Sequence, residues 1–233
     1  MRESFYSVAD ELFDFYIDGL ATLQAPRDAL ASLREFCVSV KFYEKYKGTE
    51  DAIFTSEDIS RLWTSLEITR FVKEARYLSG RPSLVVGDLA LRRVFPSDRP
   101  YLNWHRDTWS YEATKRNGRV PPLVKLIIYF KEDGSGIEPS LCVSRGSHRR
   151  IVHANRYIDL GINALLNRTV IGARPCKLEA ILFASEICHK VIPPSNGCST
   201  RLIVNFCEPH QFSSFQRNSD LSSFLSLVQE KYL

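Results

Sequence analysis

Apolar residues recur at every fourth position near the start of the chain, and from about residue 84 they gather into short β-rich runs. Val8, Leu12, Tyr16 and Leu20 follow Ser7-x-x-Asp10, which resembles a capping box, so this spacing predicts a helix beginning near Ser7. Pro26 followed by Leu30, Leu33 and Cys37 predicts a second helix. Ser56-Glu57-Asp58 followed by Ile59, Leu62, Trp63 and Leu66 predicts a third. The runs Leu84–Phe95, Leu123–Phe130, Leu141–Ser144, Ala180–Phe183 and Arg201–Cys207 read as strands. Turn-rich segments separate them, among them Asp133-Gly134-Ser135-Gly136 and Pro193-Pro194-Ser195-Asn196-Gly197. This pattern predicts a mainly β core of the sandwich, barrel or jelly-roll kind, and it argues against a parallel α/β sheet. Ile151–Leu166 carries weak helical spacing and reads as an excursion from the sheet, while Ser219, Leu221, Phe224, Leu225 and Val228 predict a closing helix.

Composition narrows the class. A chain of 233 residues, 44% apolar and 25% charged, suits one soluble catalytic domain: a mainly helical part over 1–80, a β core over 84–209 and a helix over 218–233. The longest apolar runs are too short to span a bilayer, and Met1-Arg2-Glu3-Ser4 does not open a secretory signal, so a cytoplasmic protein is expected. The six cysteines form no Cys-x-x-Cys pair, which removes zinc knuckles and redox dithiols. The net charge of +4 is spread among acids, which gives no nucleic-acid tract and leaves a small-molecule substrate as the expected partner. Neither composition nor periodicity indicates an oligomeric state.

The chemistry sits in Asn103-Trp104-His105-Arg106-Asp107-Thr108-Trp109. On an extended segment, His105 and Asp107 point to one face, because side chains alternate. One imidazole and one carboxylate, completed by a second histidine, make the facial triad of non-haem iron(II) oxygenases, which leaves three coordination positions open for a 2-oxo acid and dioxygen. His-x-Asp alone arises by chance. Corroboration comes from Cys188-His189-Lys190-Val191, placed between a β run and a turn, with Arg201 opening the next strand twelve residues later. The distal carboxylate of 2-oxoglutarate requires a cation deep in the pocket, and a guanidinium fork binds it bidentately.

Here the sequence resembles the phytanoyl-CoA dioxygenase family of Fe(II)/2-oxoglutarate-dependent oxygenases over about Leu84 to Pro209. The resemblance is carried by Trp104–Asp107, by Val124–Phe130 with the acidic turn after it, by Pro139-Ser140-Leu141-Cys142-Val143-Ser144-Arg145-Gly146-Ser147-His148-Arg149, and by His189–Phe206. The third stretch is the most specific, since it is not a metal motif. Glu138 and Arg145 depart from the family pattern at expected turns, and Val191 replaces a serine that helps hold 2-oxoglutarate in some members. The resemblance implies a double-stranded β-helix (jelly-roll, cupin-like) core braced by the N-terminal helices. It also implies Fe(II) held by His105, Asp107 and His189, 2-oxoglutarate bound by Arg201, and use of O2. The implied chemistry is decarboxylation of 2-oxoglutarate to succinate coupled to C–H oxidation, usually hydroxylation. Lys125 either reaches the same oxo-acid carboxylate from inside the barrel or faces out.

Each site residue also has a plainer reading. His105 and His189 can be core histidines, and Trp104 and Trp109 either wall a substrate pocket or fill the core. His148 is expected to fix a turn, His153 and His210 to lie on the surface, and Arg106 to be structural or solvent-facing. Cys188 alternates away from His189. A binding module that has lost turnover, and a cupin-like metalloenzyme that does not use 2-oxoglutarate, are the competing classes.

Overall fold

A computed structural model describes residues 14–98, 102–107, 124–132, 138–173, 178–215 and 219–232. The elements run β1 (Leu20–Gln24), α1 (Ala29–Ser39), β2 (Lys41–Tyr46), β3 (Thr49–Ile53), α2 (Ser56–Ser65), α3 (Ile68–Ser79) and β4 (Val85–Val94). Then follow β5 (Val124–Phe130), β6 (Glu138–Ser144), α4 (Arg156–Leu165), β7 (Arg168–Ala173), β8 (Glu179–Ala184), β9 (Cys188–Val191), β10 (Ser199–Cys207) and α5 (Ser219–Tyr232). The expected Ser7-x-x-Asp10 cap, the turn at 133–136 and Trp109 lie outside the described residues.

Two antiparallel sheets face each other. The larger has seven strands in the order β1-β8-β5-β10-β4-β3-β2, and the smaller has three, β7-β6-β9. From β5 onward the chain passes between the sheets, as a jelly roll requires: β5 large, β6 and β7 small, β8 large, β9 small, β10 large.

The central strands are covered on both faces, so they read as continuous apolar runs and do not alternate. On β5, Leu126, Ile128 and Phe130 belong to an outer core with Leu202, Val204 and Phe206 of β10. Against them pack Leu33 and Phe36 of α1, Ile59 and Leu62 of α2, Phe71 of α3 and Leu225 of α5. The opposite face of β5, with Ile127 and Tyr129, joins Ile181 and Phe183 of β8 and Leu141, Val143 and Val191 of the small sheet in an inner core. Each such fully buried side chain contributes about 1.5–3 kcal/mol.

Local signals set the helix ends. The Thr55 hydroxyl caps α2 by accepting from Asp58 N (3.2 Å), and the Asp58 carboxylate accepts from Thr55 N (3.0 Å). Gly80 ends α3 in the left-handed region at φ 65°. None of the described helices is long and apolar enough to cross a membrane.

Three expectations need correction. The first third is not simply helical: Leu20, which completes a four-residue spacing with Tyr16, opens β1, and β2 and β3 extend the large sheet. β7 and β9 were not foreseen as separate strands. Glu138 opens β6 instead of lying in a turn, whereas Arg145 does lie in one and pairs with Asp18 at 2.8 Å.

Candidate metal centre

The segment 102–107 docks along β9. His105 and His189 form an antiparallel bridge, with His105 N donating to His189 O (2.8 Å) and His189 N to His105 O (2.9 Å). Val191 N donates to Leu102 O (3.3 Å) and Asp107 N to Ser185 O (3.1 Å), extending the attachment to both sides. His105, in the bridge, and Asp107, two residues on in a 3-10 turn, both bring their side chains beside His189. Their ligand atoms, one from each residue, all lie within 4.8 Å of one another.

The two imidazoles are aimed alike. His105 Nδ1 lies 2.6 Å from Asn103 O and His189 Nδ1 lies 2.9 Å from Ile187 O. A carbonyl only accepts, so each Nδ1 carries the proton and each Nε2 presents a lone pair. These Nε2 atoms face Asp107, at 3.7 Å from Oδ1 for His105 and 4.0 Å from Oδ2 for His189. The rings are 4.2 Å apart between centroids, and Phe183 packs edge-on against His189 at 5.3 Å.

Burial holds His189 down to about 3 and lowers His105 as well, so both are neutral near pH 7. Burial alone would raise the Asp107 carboxyl. The nearby Lys125 ammonium, then His189 and His105, outweigh that and hold it down to about 2. Two neutral imidazoles and one carboxylate are the donor set of a divalent-metal site with open positions.

Lys125 lies on the inner face of β5, in line with Ile127 and Tyr129, and its Nζ is 2.7 Å from Asp107 Oδ2. It does not face out. Arg201 is buried at 3% exposure on β10, in register with Tyr129 of β5 and Arg92 of β4. It shares a face with Ile203, which packs on the inner core, and its charge works against protonation of His105.

Trp104 alternates away from His105 and lies over Lys190, with Nζ 5.6 Å from its ring. It therefore engages the Lys190 side of β9. His148 fixes a turn, its Nε2 3.1 Å from Tyr16 O, and His153 and His210 are exposed. The Gly146-Ser147-His148 stretch turns at Gly146 (φ 72°), and buried Ser147 accepts from Cys188 N at 2.7 Å, one residue before His189.

Arg106, expected to be structural or solvent-facing, is structural, with partners that the sequence did not name. Only 2% exposed, its guanidinium donates to Ser147 O and Glu186 O (2.5 Å each), to Arg150 O (2.9 Å) and twice to Asp159 Oδ2 (3.0 and 3.2 Å). This single residue, between two triad members, ties the segment to α4 and to the turns beside β6 and β9. Asp159 is fully buried on α4 and also accepts from Val152 N at 2.7 Å.

No family model and no curated relative matches the sequence. Solved structures do match. HygX from Streptomyces hygroscopicus, with nickel and 2-oxoglutarate bound, aligns with a TM-score of 0.57 at 12% identity, covering 86% of this chain and 87% of that one. SnoN, a non-heme alpha ketoglutarate dependent epimerase from nogalamycin biosynthesis, aligns at 0.56 and 12% identity over 86% and 82%. An oxidoreductase of the 2OG-Fe(II) oxygenase family from Burkholderia pseudomallei aligns at 0.56 and 12% identity over 88% and 92%. The chain shares their fold. The donor set described above is independent of that likeness, since it is read from this chain's own side chains.

Proposed function

We propose that this protein is an Fe(II)/2-oxoglutarate-dependent oxygenase of the phytanoyl-CoA dioxygenase type. In this reading the whole chain is one catalytic domain, and it oxidises an unactivated C–H bond of a small molecule such as a lipid, sugar or biosynthetic intermediate. The observation that carries the reading is the convergence of His105 Nε2, His189 Nε2 and the Asp107 carboxylate, with both Nδ1 atoms tied to backbone carbonyls. The fold supports it, because the matched structures include one with nickel and 2-oxoglutarate bound.

In this reading His105, Asp107 and His189 hold the metal, and Arg201 receives the distal carboxylate of 2-oxoglutarate through its guanidinium fork. Bound together, metal and oxo acid supply the oxidation by O2, with decarboxylation of 2-oxoglutarate to succinate. The protein's own contribution is orientation and exclusion of water. Neutral imidazoles keep their lone pairs available at neutral pH, and the ionised Asp107 needs no deprotonation step. Phe183 and the inner core beneath His189 keep one side of the site dry. Hydroxylation is the leading reaction; epimerisation, the activity named for SnoN, would branch after the same hydrogen abstraction.

Anaerobic titration of the protein with Fe(II) and 2-oxoglutarate tests this. Chelation of iron by the oxo acid is expected to give a visible charge-transfer band, weakened in Arg201→Ala at equal oxo-acid concentration. Absence of the band in the wild type would favour a binding module or a cupin-like metalloenzyme. Succinate release across a substrate panel then identifies the class of molecule oxidised.

A further inference from the structure

A lysine inside a β-sandwich is costly unless its ammonium meets an anion. Lys125 is the second residue of β5, and strand alternation turns it to the same face as Ile127 and Tyr129, both part of the inner core. Its cross-strand neighbours are Phe183 on β8 and Asn205 on β10. The anion it meets is Asp107, with Nζ 2.7 Å from Oδ2. The other carboxylate oxygen, Oδ1, is the one 3.7 Å from His105 Nε2. Asp107 thus turns Oδ2 to Lys125, with His189 Nε2 4.0 Å from that same oxygen, and Oδ1 to His105.

We propose that Lys125 is a positioning residue for the metal centre: its ammonium secures one oxygen of Asp107, so that the carboxylate offers a single oxygen alongside the two imidazoles. The proposal rests on the reading of His105, Asp107 and His189 as a metal site. A carboxylate free to turn can take a metal through both oxygens and fill a further coordination position. A carboxylate held by Lys125 leaves that position to the oxo acid or to dioxygen. The ion pair also gives the buried carboxylate a counter-charge when no metal is bound, so the site is assembled in advance.

Strand register separates this role from contact with the distal carboxylate of the oxo acid. Lys125 stands opposite Asn205, four residues along β10 from Arg201. At a strand rise of about 3.3 Å per residue this is roughly 13 Å between backbone positions. Lys125 is thus at the Asp107 end of the inner face, and Arg201 is at the other.

Cobalt(II) alone, added to the full chain without 2-oxoglutarate, reads the ligand geometry directly through its visible absorption. The Lys125→Met variant is expected to bind cobalt with a shifted band, because Asp107 becomes free to engage through both oxygens. Lys125→Arg keeps a cation near Oδ2 and is expected to restore the wild-type band. A Met-variant spectrum that superimposes on the wild type, or an equal shift in both variants, overturns the proposal. An effect seen only after 2-oxoglutarate is added does so as well, and assigns Lys125 to the oxo acid. Thermal melting and far-ultraviolet circular dichroism establish that each variant is folded, and Lys125→Gln replaces Lys125→Met if the latter is not. Failure of the wild type to bind cobalt is a different result: it removes the metal-centre reading itself, and this proposal with it.

Discussion

His105 and His189 are held neutral by burial, and that has a measurable cost in acid. In the unfolded chain both imidazoles titrate near their ordinary value of about 6.5. In the folded chain burial lowers both, His189 to about 3. The unfolded state therefore binds more protons below pH 6.5, and stability must fall as pH drops from there towards 3. The urea midpoint of the metal-free protein is expected to decrease between pH 7 and pH 5, and to decrease less in His189→Gln. Asp107→Ala should abolish metal-dependent turnover and the iron–oxo-acid band. It should also lower stability, because Lys125 loses the carboxylate it meets at 2.7 Å, though by less than breaking the Arg106–Asp159 pair, since the Lys125 side chain is 18% exposed against 2% and 0%. Circular dichroism with denaturant checks the second part. His105, Asp107 and His189 were legible in the sequence as a candidate group, from their residue types and from the His-x-Asp spacing. The partner of Lys125 was not, since parity turns a side chain inward without naming the anion that awaits it.

At the scale of elements, 3.6-residue spacing located α1 and α2, and dense β-branched runs located β4, β5, β8 and β10. β2 reads Lys-Phe-Tyr-Glu-Lys-Tyr and is largely exposed at the sheet edge, so it carries little of the apolar signal that marks a strand. α4 inverts the usual pattern. Its buried residues are Asp159 and Asn163, while Tyr157, Ile158 and Leu165 are exposed. The cause is Arg106, whose buried charge recruits Asp159 from 53 positions away, together with Arg150, which donates to Asn163 Oδ1 at 3.0 Å. Breaking one side of such a pair strands the other charge, at about 3–5 kcal/mol, whereas replacing both by apolar residues is far milder. Arg106→Leu is therefore expected to lower stability strongly, and Arg106→Leu combined with Asp159→Leu to recover much of that loss in denaturant unfolding. The three backbone carbonyls that Arg106 also serves would still be left without it in the double variant, so recovery should be incomplete.

For the whole molecule, the two cores divide the labour. The outer core, where the helices press on the large sheet, contains most of the large buried side chains, and the inner core between the sheets borders the triad. Ligands that bind only the folded chain stabilise it by mass action. Cobalt(II) and 2-oxoglutarate together, at about a hundredfold above the dissociation constant of the complex, should raise the unfolding free energy by about 2.7 kcal/mol. The rise in melting temperature should disappear in Asp107→Ala. The β-rich centre and the His-x-Asp pair were readable in the sequence, because both are written in local spacing. Pairing across distant segments has no such local trace. That difference bears on any attempt to move this triad into another scaffold. A graft of residues 103–107 alone would carry two of the three triad residues and leave behind His189, the acid on α4 and the loop carbonyls that give Arg106 its seat, so the transplanted histidine and aspartate would arrive without an anchor.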